Sequence, residues 1–479
     1  MWQDLTEIDE IFNRHDYDTT NIITNMFHQF KLKIAFKQYG VQKQQGFSVE
    51  DIIFILLFLP LMGAKSICHF YRKHFEKVAT MQKDTLYRFL NNPDIDWRRI
   101  LLSVAKRFDS LTGSRKDKEL NEKSAVIIDD SALVKTGLCI EKLSYIFDHV
   151  LKKTLPGFKN LVLAHYDGIS YKVLDTSLHS EKKLKRKHQR KQFKSSLDKI
   201  SPAFARRKEC DKDKITVAIE MIKRAAKNGF RFRYVVMDSW YSSRKLLQAV
   251  RNLHQNTVHA ICAVKKDKRK YNYFGQSLNA NHILAELKQE FGKGKRNRKN
   301  RVRYYETIVD YEGVGPVRLY FAKGSHQRHW KLFLSTDTRL NFNQFVEIYS
   351  IRWGIEVIFK ECKSYLRIGK CQARSFTSQI ASLTICYILY NILVYQKRAG
   401  DYTTIGCLFE HLAGELQEKS IAEKLWDMFK ELLQLMLENI SIEYGPIKSY
   451  QDLTKTRIFK CIEEKFSNSL IGSFLQNTG

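Results

Sequence analysis

The chain has 479 residues, of which 44% are hydrophobic and 28% charged, a composition that excludes an intrinsically disordered protein and leaves room for two or three domains. Lysine and arginine total 81 against 51 acidic residues, so the formal net charge at pH 7 is +30. This excess favours binding to a polyanion, with nucleic acid as the first candidate and an anionic membrane surface as the weaker one.

The nine cysteines occur singly along the chain. Because they form no Cys-x-x-Cys pair, a zinc site of the usual spacing is not expected. Their odd number, in a sequence with no visible signal peptide, indicates a protein of the reducing cytosol. The longest apolar runs, residues 52–63 and 380–395, are too short or too interrupted to span a bilayer, and both predict buried helices. We therefore expect a cytoplasmic protein without a membrane partner.

Residues 1–118 predict a helical region that binds DNA. Within it, the segment KDTLYRFL at residues 83–90 has a short polar start and an arginine between apolar residues, as in the recognition helix of a helix-turn-helix. Short amphipathic helices are also common in ordinary helical domains, so both interpretations stay open. The polar stretch that follows, residues 112–124, predicts a linker.

The pattern changes at residue 124 to an alternation of strands and helices. The run SAVIIDD, residues 124–130, predicts a buried strand that ends in two carboxylates. Residues 161–178 predict a hairpin around an Asp-Gly turn. A basic segment, a helix, a strand ending at Asp238, another helix and another strand come next. This order is typical of an α/β layer.

Residues 268–340 interrupt that alternation with strand-like runs, and we predict an all-β insertion there. The stretch EIYSIRWGIEVIFKECKSYL, residues 347–366, predicts one helix, and the apolar run after it a second, buried helix. The α/β core is thus predicted to occupy residues 119–400. Residues 401–479 predict a helical C-terminal region whose amphipathic stretch, residues 422–440, could support dimerisation.

The predicted helix at 347–366 carries an unusual set of side chains on one face. At 100° per residue, Tyr349, Arg352, Glu356 and Lys363 fall beside the apolar stripe of the helix. An ordinary solvated face with weak ion pairs is the alternative interpretation.

Two further carboxylates end predicted strands of the core. Asp130 ends the first strand and Asp238 the fourth, and side chains at neighbouring strand ends meet at one edge of an α/β sheet. With Glu356 they form an oxygen-only set that suits magnesium or manganese, and two such ions can drive phosphodiester chemistry. Alternatively, the Asp129–Asp130 pair begins a turn and Asp238 caps the next helix.

The spacing Tyr349-x2-Arg352-x3-Glu356-x6-Lys363, together with the motifs IIDDSALVKTG and VVMDSWYSS, resembles the insertion-sequence-four family of cut-and-paste transposases. The resemblance covers roughly residues 120–400. It implies an α/β fold with a ribonuclease-H-like core and a β-rich insertion at about 268–340. It assigns catalysis to Asp130, with Asp129 as its acidic neighbour, and to Asp238 and Glu356, which would hold two Mg²⁺ ions that Mn²⁺ can replace.

The same resemblance implies the remaining roles and partners. Tyr349, Arg352 and Lys363 would contact DNA phosphates near the cleaved end, and Trp330 would stack on a flipped base. We expect double-stranded DNA at the element ends and at the target as partner, a homodimer in the synaptic complex, and a bacterial cytoplasmic, nucleoid-associated location. A structure-specific nuclease of the same fold and a decayed, non-catalytic DNA-binding protein are the alternatives.

Overall fold

The structure is a computed structural model, and two compact units divide the chain. The described residues are 26–40, 46–72, 81–114, 122–148, 151–253, 257–298, 301–400 and 402–414. One unit comprises Met1–Asn92 with Ala399–Gly479, and the other comprises Pro93–Arg398. The predicted amphipathic stretch at 422–440 lies outside the described residues.

The described part of the first unit is helical. Its helices are α1 (Leu32–Tyr39), α2 (Val49–Phe58), α3 (Ile67–Phe70) and α4 (Lys83–Leu90). Helix α2 begins at Ser48, where a capping box with Asp51 satisfies the first backbone N–H groups, and its apolar run is buried as predicted. Helix α4 is the segment KDTLYRFL, and it buries Leu86 and Phe89. Whether its exposed face reads DNA stays a prediction.

The second unit combines a large mixed sheet with helices. Its helices are α5 (Trp97–Thr112), α6 (Arg186–Gln189), α7 (Pro202–Glu209), α8 (Lys214–Lys227), α9 (Arg244–Arg251), α10 (Ala280–Phe291), α11 (Phe342–Ser350), α12 (Trp353–Ser364) and α13 (Phe376–Ala399). Its strands are β1 (Ala125–Val134), β2 (Ser144–Asp148), β3 (Lys153–Tyr166), β4 (Tyr171–His179), β5 (Tyr234–Met237), β6 (His259–Val264), β7 (Lys270–Tyr273), β8 (Gln276–Asn279), β9 (Lys295–Asn297), β10 (Val302–Tyr311), β11 (Gly315–Gly324) and β12 (Lys331–Ser335).

The sheet has a parallel centre and antiparallel flanks. The strand order is β2-β3-β1-β5-β6-β12-β11-β10-β7-β8, with β4 paired to β3 and β9 paired to β10. Strands β1, β5 and β6 are parallel neighbours, as expected for strands joined through helices α8 and α9. Strands β3 and β4 form the hairpin that the Asp-Gly turn predicts. The α/β class predicted from the sequence is therefore confirmed.

Helices lie on both faces of the sheet. On one face, apolar side chains of α8 and α9 pack against β1, β3, β5 and β6 to form the main core. On the other face lies α13, whose Tyr387 accepts a 2.6 Å hydrogen bond from Asn160 of β3. The Asn391 amide of α13 also pairs with both backbone groups of Val173 on β4, at 2.8 and 2.9 Å. These bonds satisfy buried polar groups and fix the helix to the sheet.

Helix α13 is, among the described residues, the one that is long and apolar enough to cross a membrane. However, 94% of its most apolar window is buried inside the protein. Its apolar surface is therefore used in packing against the sheet, which confirms the prediction of a buried helix at 380–395.

Three elements differ from the predictions. The segment at 268–340 is not all-β, because Ala280–Phe291 forms helix α10, which buries Ile283, Leu284 and Leu287. Its strands also continue the central sheet, since β12 returns to pair with β6. Helix α5, which lies within the predicted N-terminal region 1–118, belongs to the second unit, where Arg98 forms a 2.7 Å ion pair with Asp175 of β4.

The third difference is that residues 347–366 do not form one helix. Helix α11 ends at Ser350 and α12 begins at Trp353. Between them the backbone N–H groups of Arg352 and Gly354 donate to carbonyls three residues earlier, at 3.1 Å in both cases. Hydrogen bonds over three residues, in place of the four of an α-helix, interrupt the regular α-helical pattern. The prediction of one continuous helix was therefore wrong.

Candidate active site

The two adjacent aspartates of β1 lie within the strand and point to opposite faces of the sheet. The strand continues to Val134, so the prediction that it ends in two carboxylates was wrong. Strand β1 stays paired with β3 as far as Val134, which is opposite Gly157. Its pairing with β5 ends earlier, at Ile128 opposite Met237. Because side chains alternate along a strand, Asp129 and Asp130 occupy different environments.

Asp130 lies on the face that α8 covers. In the β1–β3 register it is opposite Leu161, a residue of the main core. Its Oδ2 atom accepts a 3.0 Å hydrogen bond from Nζ of Lys214, at the start of α8. Lys214 also contacts Oε1 of Glu181 at 3.4 Å. Asp130 is therefore neutralised by a local ion pair.

Asp129 lies on the other face of the sheet, where it contacts the segment that carries Arg352, Glu356 and Lys363. Nη1 of Arg352 is 3.4 Å from its Oδ2 atom, and Nη2 of the same guanidinium is 2.6 Å from Oε1 of Glu356. Further along α12, Nζ of Lys363 donates a 2.7 Å hydrogen bond to Oγ of Ser131 on β1. Asp129 and Ser131 of β1 thus lie on the same face as Arg352, Glu356 and Lys363, which stand just before α12 and along it.

The sheet register places Asp238 beside Asp129. Ile128 and Met237 are paired in parallel register, and Asp129 and Asp238 are the residues that follow them. Asp238 itself lies just beyond β5, and its negative charge acts on both Asp129 and Tyr349, so the two carboxylates form one cluster. Tyr349 of α11 adjoins the same cluster. Burial raises the pKa of Tyr349 to about 12, and the charge of Asp238 adds to this shift.

Burial also raises the pKa of Asp129, to about 7. The negative charges of Asp130 and Asp238 act in the same direction, while a 2.8 Å hydrogen bond from the Asp130 backbone N–H and the charge of Arg352 oppose it. Positive charge placed near Asp129 would therefore favour its ionised form.

The chemistry of this donor set fits a divalent cation of the magnesium type. Carboxylate oxygens are the ligands that Mg²⁺ and Mn²⁺ prefer, and Asp129, Asp238 and Glu356 supply them from one face. In the part of the chain that the structure describes, no three His, Cys, Asp or Glu side chains form a group that could hold a metal ion. The guanidinium of Arg352 bridges two of the three carboxylates, so a cation shared by Asp129 and Glu356 requires this arginine to move.

Gly354 lets α12 approach the sheet closely enough to form the cluster. A Cβ atom added at Gly354 would lie 2.1 Å from Cε1 of Tyr171 on β4, far inside van der Waals contact. The glycine therefore sets the distance between β4 and the segment that carries Arg352 and Glu356.

We expect Gly354→Ala to push α12 outwards and to lower the rate of the DNA nicking that the family resemblance implies by about 10²-fold, the cost of a displacement of about 1 Å. The measurement is cleavage of a plasmid in the presence of Mg²⁺, with DNA binding followed separately. Adding Tyr171→Ala makes room for the new methyl group and should restore part of the rate. Undiminished nicking by Gly354→Ala alone would show that the close approach does not position the site.

Trp330, the predicted base-stacking residue, has its described contacts within the segment 268–340. Its ring centroid is 5.0 Å from that of Tyr305, and Nζ of Lys288 lies 5.7 Å from its ring. The indole is partly buried against the main core. Its proposed role in DNA binding stays a prediction.

Several residues near the carboxylates were not singled out from the sequence. Ser131 and Lys214 contact Lys363 and Asp130, as described above. Two tryptophans next to motif residues in the sequence are exposed: Trp353, which follows Arg352, is 63% exposed, and Trp240, two residues after Asp238, is 45% exposed. Their closeness in sequence to motif residues was the signal that could have identified them. The ring of Trp240 lies 4.2 Å from Nζ of Lys214, on the side of Asp130.

Two known protein families match parts of the chain that contain residues of this cluster. Residues 203–392 match the family described as transposase DDE domain, and residues 57–276 match the family described as DDE superfamily endonuclease. Both matches support a DDE transposase-type nuclease. The first range includes Asp238 and Glu356, and the second includes Asp129, Asp130 and Asp238. No curated protein is significantly similar to the chain.

The large mixed α/β sheet is consistent with the DDE and ribonuclease-H-like superfamily that these matches indicate. DDE nucleases of this type generally use divalent metals and act on DNA, which agrees with the oxygen-rich donor set and with the net charge of +30.

Proposed function

We propose that the protein is a cut-and-paste transposase of the insertion-sequence-four family, with a ribonuclease-H-like core and a β-rich insertion. It excises and inserts its element by metal-dependent DNA hydrolysis, hairpin formation and strand transfer. The observation that carries the proposal is the bridge of Arg352 between Asp129 and Glu356, with Asp238 following the neighbouring strand and Lys363 on the same helix as Glu356.

In this proposal Asp129 takes the role that the sequence motif assigned to Asp130. The geometry supports Asp129, because it shares Arg352 with Glu356, whereas Asp130 is paired with Lys214 on the opposite face. Asp129, Asp238 and Glu356 would hold two Mg²⁺ ions, or Mn²⁺ in their place. When bound, these ions supply activation of the attacking hydroxyl and stabilisation of the leaving oxygen.

The remaining polar residues of the site would hold DNA in position for the reaction. Arg352 can bind a phosphate through two nitrogens, and Lys363 offers a point charge on the same helix. Tyr349 would add one hydroxyl. Trp330 is the proposed base-stacking residue. With the DNA backbone fixed, a nicked end presents its 3′-hydroxyl to the opposite strand for hairpin formation, and later to the target.

The other parts of the chain complete the proposal. Residues 1–92, the part of the predicted region 1–118 that lies in the first unit, would recognise the element ends, and residues 401–479 would contribute to a homodimer in the synaptic complex. The partners are double-stranded DNA at the element ends and at the target, and the protein would act in the bacterial cytoplasm, associated with the nucleoid.

The test of this function uses a plasmid that carries the open reading frame with its native flanking DNA. We expect nicks, then hairpins, at short inverted repeats in the presence of Mg²⁺, and strand transfer when pre-cleaved ends are supplied with target DNA. Nicking without strand transfer would instead indicate a structure-specific nuclease. DNA binding without any cleavage would indicate a decayed, non-catalytic protein.

We expect Arg352→Lys to keep end binding but to slow hairpin formation and opening by about 10–100-fold, as one charge-assisted hydrogen bond disappears. A guanidinium can bind a phosphate through two nitrogens, and an ammonium group cannot copy that geometry. Tyr349→Phe should be milder because it removes only one hydroxyl. Single-turnover cleavage of a pre-nicked end measures the rate, and a gel shift measures binding.

The matched control for Arg352→Lys is Lys360→Gln, which removes a charge from an exposed position of the same helix. It should leave the cleavage rate unchanged. If Arg352→Lys cleaves at the wild-type rate, this face of the helix has no role in the chemistry.

A further inference from the structure

The segment Lys182–Lys194, which follows β4, is densely positive. Its sequence, KKLKRKHQRKQFK, contains eight lysines and arginines and no acidic residue. All eight side chains are exposed. They are Lys182, Lys183, Lys185, Arg186, Lys187, Arg190, Lys191 and Lys194. Below we call these residues the basic segment.

The backbone of the basic segment is fixed to the second unit although its charges face solvent. Leu184 is buried, with 3% of its surface exposed. The backbone of Lys182 forms two hydrogen bonds with that of Tyr145 on β2, at 2.7 and 3.0 Å. Further along, the Gln192 amide donates to the carbonyl of Leu143 at 2.8 Å, and the Phe193 N–H donates to the carbonyl of Cys139 at 2.8 Å.

These anchors have an electrostatic consequence. A free chain could move its eight positive charges apart, whereas the anchored backbone limits how far they can separate. Their mutual repulsion is reduced when a polyanion binds, and binding also releases the counterions of that polyanion. Fixing the backbone in advance reduces the conformational entropy that binding would otherwise cost.

The segment begins at the same edge of the sheet as the carboxylates. Strand β4 is parallel to β1, because both pair antiparallel with β3, and its last residue, His179, is level with Ala132 through Lys159. Glu181 immediately precedes the basic segment, and it shares Lys214 with Asp130, the neighbour of Asp129. Lys214 and Asp130 lie on the face opposite Asp129, so the segment flanks the sheet edge at which β1 and β4 end. A duplex bound across that edge would bring phosphates near the segment.

We propose that the basic segment is a second DNA-binding surface, which holds the phosphate backbone of the duplex beside the cleavage point. This inference rests on the proposed function for the identity of the polyanion. The surface reads charge and backbone position and not base sequence, because lysine and arginine side chains in this arrangement contact phosphates. It adds to the site a contact that Tyr349, Arg352 and Lys363 do not provide.

The test uses the full chain and a fluorescent duplex of about 40 base pairs, with the dissociation constant measured between about 50 and about 200 mM salt. Lys185→Gln/Arg186→Gln/Lys187→Gln removes three charges from the segment. We expect the slope of log affinity against log salt to become shallower by about 0.9 for each phosphate that the variant no longer neutralises, and the affinity to fall at least about tenfold.

The matched control removes three exposed charges from the opposite edge of the sheet. Lys223→Gln/Lys227→Gln/Arg231→Gln changes the end of α8 and the loop before β5, where all three side chains are exposed. Its affinity and salt slope should stay nearer the wild-type values. Both variants should keep the wild-type unfolding temperature, and Arg190→Gln/Lys191→Gln provides an independent variant of the segment if the first one does not fold.

The outcomes separate this inference from the proposed function. A wild-type slope and affinity in both variants of the segment would refute the inference, whether or not the protein cleaves DNA. A loss of affinity for single-stranded RNA without a loss for the duplex would also refute it. If the variants lose duplex binding but the wild-type protein never nicks DNA with Mg²⁺, the surface stands and the transposase proposal fails.

Discussion

We expect the rate of Mg²⁺-dependent nicking to fall by about 10³-fold or more in each of three variants, Asp129→Asn, Asp238→Asn and Glu356→Gln. Such a fall corresponds to a loss of about 4 kcal/mol of transition-state stabilisation. Each change keeps the shape of the side chain but removes a charge from the carboxylate cluster. Double variants should be hardly worse than single ones, since residues that act as one unit have non-additive effects. End binding, measured by gel shift, should remain.

Asp130→Asn is the matched control, because it makes the same change one residue along the same strand. Asp130 is paired with Lys214 on the opposite face, so we expect its loss to slow nicking by less than about tenfold. Abolished nicking by Asp130→Asn with retained nicking by Asp129→Asn would return the catalytic role to Asp130, as the sequence motif suggested.

Lys172→Met should destabilise the protein by about 3–5 kcal/mol, because it removes the cation from a buried group of charges. The side chain of Lys172 on β4 is fully buried, and its Nζ atom is 2.5 Å from Oδ1 of Asp109 on α5 and 3.8 Å from Oδ2 of Asp167. Both carboxylates are buried themselves, with 4% and 2% of their side-chain surface exposed. The measurement is the free energy of unfolding in urea.

Two further variants test the cause of this loss. Lys172→Met/Asp109→Leu replaces the ion pair by apolar side chains and should recover much of the stability, since a buried pair is often dispensable when both charges leave together. Lys123→Met breaks the exposed pair with Glu347 and should leave the urea midpoint unchanged. If Lys172→Met and Lys123→Met behave alike, the buried pair does not hold α5 to β4.

Local patterns predicted the elements whose causes are local. The Asp-Gly turn determines the β3–β4 hairpin, and the alternation of strands and helices predicts the parallel centre of the sheet. The facing of Asp129 and Asp130 could also have been predicted, because adjacent strand residues point to opposite faces. It was missed because two successive carboxylates were interpreted as the end of a strand.

The break between α11 and α12 has no comparable local signal. It coincides with the close approach of Gly354 to Tyr171, a residue of β4 that is far away in sequence. Similarly, the bridge from Arg352 to Asp129 depends on the packing of α12 over β1, so the helix wheel identified the correct face but not the partner. Such features become predictable only when the long-range packing is known.

The bonds that close the carboxylate cluster join very distant parts of the chain: Arg352 and Asp129 are 223 residues apart, and Lys363 and Ser131 are 232 residues apart. Contacts of such long range form late, because the loss of chain entropy must be met before they contribute. A nascent chain that has not reached α12 lacks Glu356 entirely. Glu356 lies about three quarters of the way along the 479 residues, so under the proposed function a chain terminated before α12 would lack a carboxylate that cleavage needs.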